Sequence, residues 1–570
     1  MKQLVYKDAG KNLGLNNRSV VNIDLRYFLK HALIGLIITS AILGRVVQSA
    51  EPAEQDVQIF FDGMDNDQHP KLLSRYLAYP KLLQKFYQQR AYTVAWYPPL
   101  RQDKAHQALL DFIAEIEKDG LFAEDYHYST LLEHCQQPVK AENLLACDIL
   151  STDSALLLQQ HILAGKVDPN RFKNSEVAKQ PLDLVDLLEQ ALAAPDLAAY
   201  IEQHKPSHIY YQLLKEQLAR LRSLPDPNWQ PFDVSGSSIK PGATDARVSQ
   251  LVERLIYWGD LASDFSFDST NPLYSPEVEV AVKRYQKRHG LEVDGVVGKA
   301  SFDALNVSKA ERIEQMLINM ERWRWLAEKL GERFVLVNIA GFEVYGVEND
   351  QVTFQKPIIT GKNHHQTPVF SDEIEYVVIN PTWTVPYSIA VNETLPRLKK
   401  DPSYLQQKNF GVYRNYSERV NTSNIDWSQY SRGNFPFQFV QAPGKNNALG
   451  QVKFIFPNSH SIYLHDTPSK QLFSRTSRAF SHGCIRVFEP FDLAEWLLAP
   501  QGVTRQEIEN KLNQKTTKTV YLKQKLPVHL TYWTAFIDEE RQLNFRPDIY
   551  KRDPQVSKAL HTSVQQTLAR

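Results

Sequence analysis

The most informative stretch of this sequence is Ser481-His482-Gly483-Cys484-Ile485-Arg486, taken together with Ile462-Tyr463-Leu464-His465 upstream of it. A thiol is a useful nucleophile only as the thiolate, and a neighbouring imidazole can take its proton and lower its pKa well below the free value of ~8.5. Cys484 and His465 are therefore predicted to be a nucleophile and its base. The alternating upstream run predicts a strand that carries Tyr463 and His465 on one face.

The residues around Cys484 predict a site for a carbonyl group. Gly483 lets the backbone approach a reacting carbonyl, and the amides of Gly483 and Cys484 are candidate oxyanion donors. Arg486 could bind a substrate carboxylate with its planar guanidinium. Two other interpretations stay open: a buried cysteine beside a hydrogen-bonded imidazole, and a zinc site made by His465, His482 and Cys484.

Both motifs resemble one known family. The runs I-Y-L-H-D-T-P (462–468) and R-A-F-S-H-G-C-I-R-V (478–487) look like the L,D-transpeptidase catalytic family, specifically its large, multidomain, periplasmic Gram-negative branch. The likeness covers about 310 to 550, and it includes further segments at 361–368, 380–386, 443–450 and 532–550.

The resemblance implies an enzyme that forms 3-3 cross-links in peptidoglycan. In that reaction the cysteine attacks the carbonyl of the third-position diaminopimelate in a tetrapeptide stem, D-alanine leaves, and the thioester passes to another stem. It implies peptidoglycan stem peptides as partners, carbapenem-type inhibitors, and no metal or other cofactor. It assigns catalytic roles to Cys484, His465, Gly483 and His482, and substrate binding to Tyr463, Arg486, Ser481 and Trp383.

Two other functions stay open at this point. One is a catalytically weak, peptidoglycan-binding scaffold protein. The other is a cell-wall cysteine endopeptidase, which uses the same covalent step but hands the acyl group to water.

Composition limits the class of protein. The 570 residues are 43% hydrophobic and 11% aromatic, which predicts two to four globular domains. Lys+Arg and Asp+Glu both number 65, so no excess of charge points to nucleic acid as a partner. Cys135 and Cys147 either form a disulfide or stay reduced, and Cys484 is the odd thiol.

The N-terminus predicts export. Basic residues precede an uncharged run at 32–44, which is short for a bilayer span and typical of the h-region of an export signal. A cleaved signal and an uncleaved inner-membrane anchor at 28–47 fit equally well, and a buried core helix is the alternative. Export by either route places everything after about residue 50 in the periplasm.

The pattern along the chain predicts a multidomain α+β protein. Amphipathic runs broken by Pro and Gly predict helices up to about 225, and a Pro-, Ser- and Gly-rich segment then predicts a linker. The predicted order is an export signal or anchor (1–50), a helical scaffold domain (51–225), a linker (226–244), a peptidoglycan-binding domain (245–306), a catalytic domain (310–530) and a C-terminal segment (531–570).

The unit at 245–306 shows helical spacing in three short runs and resembles the three-helix peptidoglycan-binding domain. A basic face could meet acidic stem peptides or simply face solvent. It is formed by Lys283, Arg284, Lys287 and Arg288.

The catalytic domain is predicted to be mainly β. An amphipathic helix at 309–330 leads into β-favouring runs, which predict an all-β or β-sandwich-like domain with strands at 334–339, 342–347, 375–379, 453–456 and 461–464. An insertion at 387–447 holds a helical piece and many aromatic residues. It is predicted to be a capping loop over the site, or else its aromatics form only its own core. A helix at 490–498 is predicted to pack behind Cys484.

Overall fold

The structure is a computed structural model that describes residues 54–64, 69–97, 104–136, 139–178, 181–326 and 330–569. The predicted export signal or anchor at 1–50 lies outside these residues. In the described part of the chain, no helix is both long enough and apolar enough to cross a membrane.

The N-terminal domain is built around the helix Leu144–Ala164, which is buried on nearly all sides. A helix that is apolar around its whole circumference must be covered by others. Gly165, at φ 83°, ends this helix. The other helices of the scaffold region are Glu54–Asp62, Pro80–Gln89, Lys104–Ala114, Tyr128–His134, Leu184–Ala193, Leu197–Glu202 and Ile209–Ser223, with the paired short strands Lys71–Leu72 and Arg75–Tyr76.

A disulfide joins Cys135 to Cys147, with the Cα atoms 5.5 Å apart. It ties the end of the helix Tyr128–His134 to the central helix. Of the two states left open by the sequence, the structure has the bridged one. Closing a loop of this size contributes about 3 kcal/mol in the chain-entropy account.

The small domain has the three predicted helices, Arg247–Trp258, Pro276–Arg288 and Lys299–Leu305. The prediction of a linker at 226–244 is wrong in part. Phe232 and Ile239 are buried in the core of this domain, and Ile239 pairs with Val297. These two apolar side chains are isolated in the sequence and show no periodicity. The sequence therefore did not predict that the segment packs on the domain.

Two of the four side chains of the predicted basic face contact the C-terminal segment. Arg288 forms a buried ion pair with Asp260 and donates a hydrogen bond to the carbonyl of Leu543. Lys287 pairs with Glu540 at 2.8 Å. This end of the face is therefore docked on the C-terminal segment. The other two basic side chains bond within the small domain: Lys283 and Arg284.

The helix Lys309–Arg324 begins at a capping box formed by Ser308 and Glu311, and it ends at Arg324, before the predicted end at Leu330. The indole of Trp323 stacks on Trp533 with the ring centroids 4.3 Å apart. The C-terminal segment is thus packed into the protein. Its elements are the hairpin Ala535–Ile537 and Leu543–Phe545 and the helices Asp553–His561 and Val564–Leu568.

The catalytic domain is mainly β, as predicted. Its strands are β1 (Arg333–Asn338), β2 (Glu343–Glu348), β3 (Gln351–Gly361), β4 (Val369–Ile379), β5 (Val452–Ile455), β6 (Leu464–His465), β7 (Ala479–Ser481), β8 (Ile485–Val487) and β9 (Lys518–Thr531). The strand Ser175–Glu176 of the N-terminal domain adds to β4.

Eight of these strands form one closed sheet, whereas the predicted sandwich-like domain would consist of two open sheets. Strand β5 pairs with both β6 and β4, so the order runs β5-β6-β8-β3-β2-β1-β9-β4 and returns to β5, while β7 pairs with β3. Strands β3 and β9 escaped prediction because their exposed halves are polar. The helix Pro490–Leu498 packs on the enclosed core, as predicted.

The insertion at 387–447 is a small folded unit with its own core. Its elements are the strands Phe410–Arg414, Glu418–Arg419 and Gln438–Gln441, which form a sheet with Trp383–Thr384, and the helical turns Tyr387–Ile389, Ala390–Thr394, Leu395–Lys400 and Tyr404–Gln407. The aromatics Trp427, Phe435, Phe437 and Phe439 fill that core, which was the second interpretation offered by the sequence.

Candidate active site

Strands β6 and β8 bring the two sequence motifs together. They run parallel, with Leu464 opposite Ile485 on the core side, where both are fully buried. The predicted alternation is therefore present, because side chains one residue away point to the other face. That outer face carries Cys484, Tyr463, His465 and Arg486, and the rings of Tyr463 and His465 lie 5.6 Å apart.

His465 is buried and oriented by the backbone. Its Nδ1 lies 2.5 Å from the carbonyl oxygen of Asp466. A carbonyl can only accept, so Nδ1 carries the proton in this contact, and the backbone of Leu449 makes a second hydrogen bond with the ring. Sequence reasoning left the group that orients His465 undefined, because a backbone carbonyl has no sequence signature.

Asp466 is itself held firmly. Its carboxylate accepts hydrogen bonds from the amides of Gln451 and Thr467 and pairs with Lys470. A Cβ on Gly450, where φ is +63°, would lie 2.3 Å from the Asp466 carboxyl carbon, so only glycine fits there. The glycine that ends the family-like segment 443–450 was the available sequence signal for this support.

Burial and two cations set the protonation states at rest. Burial, followed by the charges of Arg486 and Lys453, lowers the pKa of His465 to about 3. Burial raises the pKa of Cys484, and hydrogen bonds from Tyr463 oppose that rise only in part. Both shifts run against the expected thiolate with a lowered pKa and favour a neutral thiol and a neutral imidazole in the free protein.

The loop before the nucleophile corrects one predicted role. Gly483 has φ +118°, a conformation that favours glycine, and its N–H donates to Ser481 Oγ at 3.1 Å. Ser481 Oγ in turn donates to the carbonyl of Cys484 at 2.6 Å. The Gly483 amide is thus already engaged and is no oxyanion donor in this state. The Cys484 amide has no such partner among the described residues.

A hydrogen-bonded chain from the C-terminal segment supports this loop. Tyr550 donates through its hydroxyl to the carbonyl of Gly361 at 2.6 Å. Thr367 Oγ1 accepts from the Gly361 amide and donates to the carbonyl of Gly483 at 2.7 Å. Three segments singled out in the sequence therefore meet beneath the nucleophile.

Two predicted site residues lie toward the insertion. The imidazole Nε2 of His482 is 2.6 Å from Glu393 Oε1, on the π-helical turn Ala390–Thr394. Trp383 pairs with Gln441 in the sheet of the insertion, and its ring lies 6.2 Å from that of Phe410. The structure thus places Trp383 in the body of the insertion and not on the face of Cys484.

The two histidines of the alternative zinc site, His465 and His482, bond to two different residues. His465 bonds to Asp466 and His482 to Glu393. Among the residues that the structure describes, no group of three or more His, Cys, Asp or Glu is arranged to hold a metal ion.

Comparison with known families finds three matches along the chain. Residues 332–520 match the L,D-transpeptidase catalytic domain. These residues belong to the L,D-transpeptidase family. Residues 81–218 match a family described as a scaffold domain. Residues 244–305 match a peptidoglycan-binding domain. The resemblance seen in the sequence is confirmed, and so is the predicted fold class.

Individual relatives match only in part. A curated Haemophilus influenzae protein that bears an L,D-transpeptidase name is 35% identical over 253 residues, which cover 44% of this chain. The chain spans about half (51%) of the length of that relative.

Solved structures match more distantly. An L,D-transpeptidase from Xylanimonas cellulosilytica covers 53% of this chain and 100% of its own, at 14% identity and a TM-score of 0.16. The Ldtfm-avibactam carbamoyl enzyme covers 40% of this chain and 64% of its own, at 8% identity and a TM-score of 0.18. TM-scores this low carry no structural argument.

Proposed function

We propose that the protein forms 3-3 cross-links between peptidoglycan stem peptides through a thioester on Cys484. The observation that carries this proposal is the face shared by Cys484, Tyr463, His465 and Arg486, next to an insertion tied to it through Glu393 and His482. A nucleophile, a base and a cation for a carboxylate stand together there, on a domain of the transpeptidase family.

In the first half-reaction, Cys484 Sγ attacks the carbonyl of the third-position diaminopimelate of a tetrapeptide donor. His465 takes the thiol proton as the C–S bond forms and returns it to the amine of the departing D-alanine. A base works best with a pKa near the operating pH, so this role requires the pKa of His465 to rise from about 3 once the anionic donor offsets the charges of Arg486 and Lys453. The Cys484 amide is the available donor for the oxyanion.

In the second half-reaction, the side-chain amine of another stem attacks the thioester. His465 accepts a proton from that amine and returns it to the thiolate as the C–S bond breaks. The thioester must be kept from water during this time. The insertion, with Glu393 on His482, supplies the cover in this proposal.

The inhibitors and the cellular location belong to the same proposal. Carbapenem-type compounds are expected to acylate Cys484, because they present a strained carbonyl to a site built to receive one. The periplasm is the proposed location, and the disulfide supports it because such bonds persist in oxidising compartments. Anchoring in the inner membrane by residues 28–47 remains part of this proposal.

The test is mass spectrometry of the muropeptides that the purified full chain makes from disaccharide-tetrapeptides. We expect a cross-linked dimer joined through two third-position residues, with release of D-alanine. Cys484→Ala should abolish it, and His465→Ala should slow it by about 10²–10⁴-fold. Release of D-alanine with only hydrolysed product would instead identify a carboxypeptidase, and cleavage of existing cross-links would identify an endopeptidase.

A further inference from the structure

The face that carries Cys484 holds two cations in one row. Lys453 on β5 is in register with His465 on β6, and His465 is in register with Arg486 on β8. Neighbouring strands lie about 4.8 Å apart, so the three side chains form a row across three strands with the imidazole in the middle. Lys453 did not stand out in the sequence, because a single lysine in a strand carries no motif.

Neither cation has an acidic partner among the described residues. The Nε atom of Arg486 is buried without a hydrogen-bond partner. Lys453 is half-buried, with Nζ 5.7 Å from the centroid of the Tyr463 ring. The carboxylate of Asp466 is turned to Lys470 and to backbone amides instead.

Such an arrangement is costly unless something anionic binds. Burial lowers the pKa of both Lys453 and Arg486, because a desolvated cation without a counter-ion is disfavoured. Both cations also interact electrostatically with Cys484, which places them around the reacting sulfur. The row therefore fits a ligand with two negative charges that flank the carbonyl to be attacked.

We propose that Lys453 is a specificity-determining residue that binds one carboxylate of the donor peptide while Arg486 binds another. This inference rests on the proposed function. It selects donors that are dianionic near the scissile bond, with one carboxylate on the side chain of the acyl residue and one on the departing residue. A donor that lacks either carboxylate leaves one of the two cations unpaired.

The test compares three tetrapeptide donors: one with both carboxylates free, and two in which one or the other is amidated. Lys453→Met should lower kcat/KM for the dianionic donor about 10- to 100-fold, the usual loss for a hydrogen bond to a charged group. The penalty should disappear with one of the amidated donors and persist with the other. Lys453→Arg should restore most of the activity, and Lys518→Met, an exposed lysine on β9, is the matched control.

A second measurement separates substrate binding from an effect on the thiol. Because the charge of Lys453 lowers the pKa of Cys484, alkylation by uncharged iodoacetamide should slow in Lys453→Met, and this effect on the thiol is the same for every donor. An equal loss of kcat/KM with all three donors, or no loss with the dianionic donor, would overturn the role of Lys453. Failure of the proposed function looks different, because the parent protein would then turn over none of the donors.

Discussion

Cys484 and His465 show which properties of a site a sequence motif can predict and which it cannot. The motifs predicted that Cys484 and His465 share a face, and the register of β6 and β8 agrees. Their charge states could not be predicted, because they depend on how deeply the pair is buried and on Lys453 from a strand outside both motifs. The Gly483 amide was likewise predicted to be an oxyanion donor from its residue type alone, but it donates a hydrogen bond to Ser481 Oγ.

At this scale we predict a thiol that reacts slowly at neutral pH. Since the pKa of Cys484 is raised and that of His465 is about 3, no thiolate–imidazolium pair should form between pH 5 and 8. The alkylation rate by iodoacetamide should rise about tenfold per pH unit to beyond pH ~8.5.

The measurement is clean because Cys484 is the free cysteine of the described chain. Cys484→Ser is the control and should take up no label. A rate that is flat from pH 6 to 8 would indicate a preformed thiolate and contradict a resting pair of neutral thiol and neutral imidazole.

At the scale of elements, the sequence predicted the elements whose apolar residues recur with a regular period. The three helices of the small domain and the helix Pro490–Leu498 were predicted because their apolar residues recur at helical spacing. Strand β9 was missed because half of it is exposed and polar. The closure between β4 and β5 was missed because the 72 positions between those strands hold the insertion.

The insertion gives an element-scale prediction. Glu393→Gln removes the charge that His482 contacts, so the cover should open more often and water should reach the thioester. Because the pair is partly exposed, it is worth up to about 1 kcal/mol, and the ratio of hydrolysed to cross-linked product should rise about two- to fivefold.

Glu418→Gln is the matched control, since Glu418 is exposed on the same insertion in the short strand Glu418–Arg419. It should leave the product ratio unchanged. An unchanged ratio in Glu393→Gln would mean that this contact does not hold the cover.

At the scale of the whole molecule, the domains are more tightly joined than the sequence suggested. The linker and the apolar periodicity of the unit at 245–306 predicted a separate module, but Arg288 lies buried and donates a hydrogen bond to the carbonyl of Leu543. His289 also stacks on Phe545 at 5.6 Å. Contacts between segments that are distant in the sequence have no local signature. Composition therefore predicted where the small domain begins, but it could not predict that this domain packs on the C-terminal segment.

Two adjacent residues test how firmly this end of the basic face is held. Arg288→Ala should lower the free energy of unfolding by about 3–5 kcal/mol, because it leaves the buried carboxylate of Asp260 unpaired. Lys287→Ala removes an exposed pair with Glu540 and should cost less than about 1 kcal/mol. Denaturant melts of both variants decide the matter, and equal small losses would mean that Arg288 is not held in a buried ion pair.

The most direct test of a thioester on Cys484 is the intact mass of the full chain after rapid mixing with a tetrapeptide donor and an acid quench. We expect one adduct with the mass of the donor less D-alanine, mapped to Cys484 and absent from Cys484→Ala. A fully folded parent protein that turns the donor over without this adduct would contradict the covalent mechanism.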